Sequence, residues 1–97
     1  MRIYKYVVPL PDEYGTALVN MHRDAEVLSV GMQNNQIVVW AKVNGPKKQT
    51  EDIALTVVNT GTDFPFTIGR FLGTVTSDNG VVWHVILRNE WRKRDVL

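Results

Sequence analysis

The chain has no cysteine, which excludes a disulfide framework and any thiolate-held metal. It also lacks a long apolar run. The longest reach about four to five residues, against roughly 20 for a bilayer-spanning helix. A strong charge of either sign is missing as well. Eleven Lys and Arg against ten Asp and Glu leave a net charge of +1, so nothing draws the whole chain to nucleic acid or to a membrane surface. No Gly-x-x-x-x-Gly-Lys-Ser/Thr phosphate loop occurs, and no nucleophile elbow surrounds Ser29 or Ser77. The two histidines, His22 and His84, have no His/Asp/Glu companions at ligand spacing, so neither a metal centre nor a hydrolytic triad is expected. The segment Met1-Arg2-Ile3-Tyr4-Lys5-Tyr6 lacks the apolar stretch of a signal peptide. A cytoplasmic location is the expectation.

What is present is β pattern, in 97 residues of which 44% are hydrophobic, enough for one domain with a modest core. The plainest unit is Phe71 to Leu87, two β-rich arms around Asn79-Gly80, a pair suited to a tight primed turn with positive φ at both positions. In its second arm Val81, Trp83, Val85 and Leu87 form an apolar face predicted to meet the core. Val82, His84 and Ile86 form the other face, expected to be half covered. A second hairpin runs over 26–43. A two-residue turn at Asn34-Asn35 pairs Met32 with Ile37, Val30 with Val39 and Leu28 with Ala41, all apolar, while Trp40 falls opposite Ser29 and Gly31 opposite Val38. Further strands are predicted over 2–8, 16–21 and 53–58, with Pro9 and Pro11 ending the first. Residues 44–49 read as an exposed loop, 59–70 as a long irregular stretch and 88–97 as a basic tail. The expected fold is all-β: one small sandwich or partly open barrel of six to seven mostly antiparallel strands.

Four residues stand out as candidate ligand contacts. Arg70, between Gly69 and the Phe71-Leu72-Gly73 run, can offer a bidentate fork to a phosphate while the glycines bring backbone N–H groups close. The alternative is that Gly69 and Gly73 serve a turn and a bulge. Trp40, beside small residues, offers a stacking surface, or its ring lies flat on the sheet. Lys5, between Tyr4 and Tyr6, supplies a cation; the alternative is a lysine that protects a strand edge. His84 is either a ligand contact or a histidine at the core's rim satisfied by one hydrogen bond. Two or three cations suit a small anionic ligand. Nucleic acid, which would demand a larger basic excess, is not expected. No cofactor is implied.

Ile3-Tyr4-Lys5-Tyr6, Glu26-Val27-Leu28-Ser29-Val30, Gln33-Asn34 and Val38-Val39-Trp40-Ala41 form one characteristic series. Asn59-Thr60-Gly61-Thr62, Phe71-Leu72-Gly73-Thr74-Val75 and Val81-Val82-Trp83-His84-Val85 form another. Together, across about residues 2–86, they resemble a family of short proteins of tailed bacteriophages and prophages. That resemblance carries no catalytic residues. It implies a virus-encoded protein made in the bacterial host cytoplasm. The expectation is therefore a non-enzymatic phage accessory protein that self-associates through exposed strand edges and binds a nucleotide-like anionic signal or a host defence component. The alternative is a structural or protein–protein interaction module without a small-molecule ligand.

Overall fold

The computed structural model describes residues 1–44, 49–63 and 69–88. Within them lie seven strands: β1 (Arg2–Val7), β2 (Thr16–His22), β3 (Glu26–Gln33), β4 (Gln36–Val43), β5 (Thr50–Asn59), β6 (Arg70–Thr76) and β7 (Val82–Leu87). They form two antiparallel sheets, β1-β4-β3 and β2-β5-β7-β6, not closed into a barrel, so the all-β sandwich is what the chain adopts. No helix among the described residues is long and apolar enough to cross a membrane. Parts of the three predicted irregular stretches, 45–48, 64–68 and 89–97, lie outside the described residues.

The alternation of apolar residues fixes which faces meet. Val39, Ala41 and Val43 of β4 and Val27 of β3 pack on Val19 and Met21 of β2, Leu55 and Val57 of β5 and Val85 of β7, all 4% exposed or less. The outer side of β5 is buried too, at Ala54, Thr56 and Val58. Arg88 contributes there. Its backbone N–H donates to the Ala54 carbonyl on β5, and its Nη1 reaches Thr16 Oγ1 on β2 at 2.9 Å, so the side chain spans β5. Arg88, the first residue of the predicted basic tail, is therefore buried on the sandwich, its aliphatic stem covering the sheet.

The two hairpins differ from expectation in instructive ways. At Asn34-Asn35 both φ values are positive, 50° and 59°, as a two-residue primed turn requires. Met32 pairs Ile37 and Val30 pairs Val39 as the pattern demands, but a bulge then inserts Leu28 and gives Ala41 the partner Val27. Leu28 is left 42% exposed while Val27 takes the core position. At the second hairpin only Gly80 has positive φ (86°), and its N–H bonds the Ser77 carbonyl while the Ser77 N–H bonds the Val81 carbonyl. This is a three-residue loop, Asp78 to Gly80, closed by a left-handed glycine, and not the predicted two-residue turn. Trp83, Val85 and Leu87 still face the core.

Side-chain ties hold the sheets together along both sides. On one side the Tyr6 hydroxyl accepts from the His22 backbone N–H at 3.2 Å and lies 2.5 Å from His22 Nδ1. The Tyr4 ring packs edge-on against the same imidazole at a centroid distance of 4.7 Å. On the other side Arg70 Nη2 donates to the Val27 carbonyl at 2.5 Å. At one end Asn35 Oδ1 accepts the Asp78 backbone N–H at 2.8 Å, locking one hairpin tip to the other.

Candidate functional site

The four residues singled out from the sequence occupy three separate places. Lys5 and Trp40 are register partners on β1 and β4, on the outer face of the three-stranded sheet. A Cβ placed on Gly31 would sit 2.8 Å from Trp40 Cζ3, so the indole lies flat over that glycine. Lys5 Nζ donates to Gln33 Oε1 at 2.9 Å, and Lys42 lies 3.5 Å from Glu26 Oε1. His84 projects from the outer face of the other sheet. Its Nε2 is 2.7 Å from Thr60 Oγ1 and its Nδ1 3.0 Å from Thr74 Oγ1, so both ring nitrogens have hydroxyl partners. Arg70 joins the sheet edges at Val27, as above. Gly69 and Gly73 serve packing. A Cβ on Gly69 would stand 2.4 Å from the Leu87 carbonyl oxygen, and Gly73 follows a bulge and abuts Val30. Sandwiched sheets lie about 10 Å apart. A small ligand on Trp40 therefore cannot also touch His84, and the structure does not gather the four into one pocket.

Two clefts formed by described residues lie elsewhere, at the end of the sandwich where four connections meet: the β1–β2 loop, the Asn34-Asn35 turn, residues 60–63 after β5 and the Asp78–Gly80 loop. Antiparallel pairing forces this convergence, since Val7 lies opposite Val38 and Asn59 opposite Trp83. Pro9 stops β1 there and frees the chain to cross to the second sheet. Trp83, half-buried against the core, forms a wall shared by two clefts.

The first cleft, about 380 Å³, has apolar walls from Val8, Pro9, Leu10, Met32, Ile37 and Trp83. Its polar lining comes from Asn35, Gln36, Ser77 and Asn79, and among the described residues no charged side chain lines it. The second, about 360 Å³, lies across Trp83 and is lined by Tyr14 and by the acidic residues Asp12, Glu13 and Asp63. Asp12 Oδ1 accepts the backbone N–H groups of Tyr14 and Thr16, both at 2.9 Å, which shapes the loop between the clefts. Among the described residues no group of three or more His, Asp or Glu stands close enough to hold a metal ion. This end escaped the sequence reading because Trp83 alternates with core residues and was assigned to the core. The usable signal was the number of asparagine-tipped connections that antiparallel parity sends to one end.

Among known proteins, no curated protein and no solved structure matches the chain. A family model described as a domain of unknown function, DUF7352, matches residues 1–95, which takes in every strand of the sandwich and both clefts. The chain belongs to the DUF7352 family.

Proposed function

We propose that this chain is a non-enzymatic binding module that takes its ligand at the Trp83 end of the sandwich. The observation that carries the reading is the shared tryptophan wall between two clefts of about 380 and 360 Å³. Both volumes fall in the range of small-molecule sites, roughly 300–1,000 Å³. The resemblance to short phage and prophage proteins supports a setting in the cytoplasm of an infected bacterium, with a host defence component or signal as the thing bound. Self-association belongs to the same proposal. Ile3 and Val7 are 62% and 48% exposed on β1, one of the two edge strands of the three-stranded sheet.

A second reading, a nucleotide-like anion held on the outer face of that sheet, is favoured by one observation. Lys5 stands opposite Trp40 in register, and Lys42 lies two residues further along the same strand face. Stacking beside a cation is what a base bearing a phosphate requires.

A thermal-shift panel of nucleotides and neutral metabolites separates the readings, because a ligand that binds the folded state raises Tm by mass action. A Tm rise that persists in Trp40→Ala and vanishes in Trp83→Leu supports the end site. The reverse pattern supports the anion reading. No rise with any compound leaves the chain as a protein-interaction module.

A further inference from the structure

We propose that the first cleft selects an uncharged, flat molecule carrying hydrogen-bond acceptors, and that the side-chain amides of Asn35 and Asn79 are the groups that read them. The inference deepens the binding reading at the Trp83 end and rests on it.

Both amides are held by turn backbone, Asn35 by the facing hairpin tip and Asn79 within its own turn. Asn35 Oδ1 is occupied by the Asp78 N–H at 2.8 Å. Asn79 Oδ1 receives the Ser77 hydroxyl and, at 3.4 Å, the Val81 N–H. Each carbonyl oxygen thus satisfies the backbone, and each NH₂ group is left over. Among the described residues neither NH₂ makes a hydrogen bond, and the Trp83 indole N–H makes none either. Asn35, Asn79 and Trp83 all line the cleft. Three donors not engaged by the described residues, two of them on exposed asparagines, thus line a slot with apolar walls, an arrangement suited to a ligand that carries acceptors.

Charge and shape narrow the class further. Among the described residues no Lys, Arg or His lines the cleft to neutralise an anion, and no Asp or Glu lines it to hold a cation. The Trp83 and Met32 walls favour a planar apolar body. Ordered donors add affinity because their position is fixed in advance. The Asn35–Asp78 tie holds the two hairpin tips against each other before any ligand arrives.

The test is a titration followed by ¹H–¹⁵N NMR with four bicyclic probes of similar size: coumarin, naphthalene, naphthoate and naphthylmethylamine. Coumarin is expected to shift the Asn35 and Asn79 side-chain amide signals and the Trp83 indole signal, and to bind more tightly than the other three. Asn35→Asp and Asn79→Asp retain the turn's acceptor oxygen and lose the donor. Each is expected to weaken coumarin roughly five- to tenfold with naphthalene unchanged, and an unaltered Tm and backbone spectrum establish that the fold is intact. Equal binding of coumarin and naphthalene, insensitive to both variants, overturns the acceptor reading while the end site stands. Preference for naphthoate or naphthylmethylamine overturns the uncharged class. If no probe perturbs these signals, the binding reading at this cleft fails and the inference goes with it.

Discussion

Several single residues are set by local rules that can be tested one at a time. Thr56 Oγ1 is fully buried on β5 and has no hydrogen-bond partner among the described residues. An orphaned buried hydroxyl costs about 1–3 kcal/mol, and valine has nearly the same shape without it. Thr56→Val is therefore expected to raise stability by about 1 kcal/mol, measured by urea unfolding; an unchanged or lower midpoint would mean the hydroxyl is satisfied. Gly31 makes the opposite case. Its missing Cβ is the space into which the Trp40 ring settles. Gly31→Ala is expected to push the indole off the sheet, costing about 1–2 kcal/mol and shifting tryptophan emission to the red. Emission identical to the parent's would show that the ring does not rest there.

Pairs of strands are governed by turn conformation and by the ties between sheets. Asn34, with φ of 50°, holds a left-handed position open to glycine and asparagine but costly for branched side chains. Asn34→Gly should be close to neutral, whereas Asn34→Val should cost about 1–2 kcal/mol by thermal unfolding. Equal effects would remove the primed turn. Along the sandwich's two sides, Tyr6 joins β1 to β2 and Arg70 joins β6 to β3. Tyr6→Phe leaves the partly buried His22 N–H unpaired, and Arg70→Met does the same to the Val27 carbonyl. Each change should lower stability by about 1–2 kcal/mol. Because the pairs lie on opposite sides and share no partner, the double variant should show the sum to within about 0.5 kcal/mol. A clearly non-additive result would mean that the two sides are coupled through the core. Arg70→Met also bears on ligand binding: a structural arginine lowers Tm without altering a ligand's affinity.

For the whole molecule, the strand pattern was legible because alternation along β4, β5 and β7 reports directly which face is buried. The Asn34-Asn35 turn was legible because its conformation is local. The Leu28 bulge was not: Leu28 and Ser29 have no special backbone requirement, and the shift exists only because it brings Val27 into the core opposite Ala41. The loop at Asp78–Gly80 was misjudged for a related reason, since Asn-Gly suits both a two-residue turn and the closing glycine of a three-residue loop. The candidate clefts were illegible because they arise from residues as distant as Pro9 and Trp83, brought together only by the crossing of the chain between sheets. The same topology bears on self-association. The β3 and β6 edges each carry a bulge and are joined to each other through Arg70, a combination that blunts edge pairing. On β1 the apolar Ile3 and Val7 remain outward on either side of Lys5. If chains associate as proposed, β1 offers an apolar edge for the contact, and Ile3 is the side chain to change there, since Val7 also lines the cleft. Ile3→Lys places two lysines on one side of that strand, and sedimentation should show the oligomer reduced to monomer with Tm lowered only by the lost association. An oligomer that survives this substitution unchanged would place the contact on another surface.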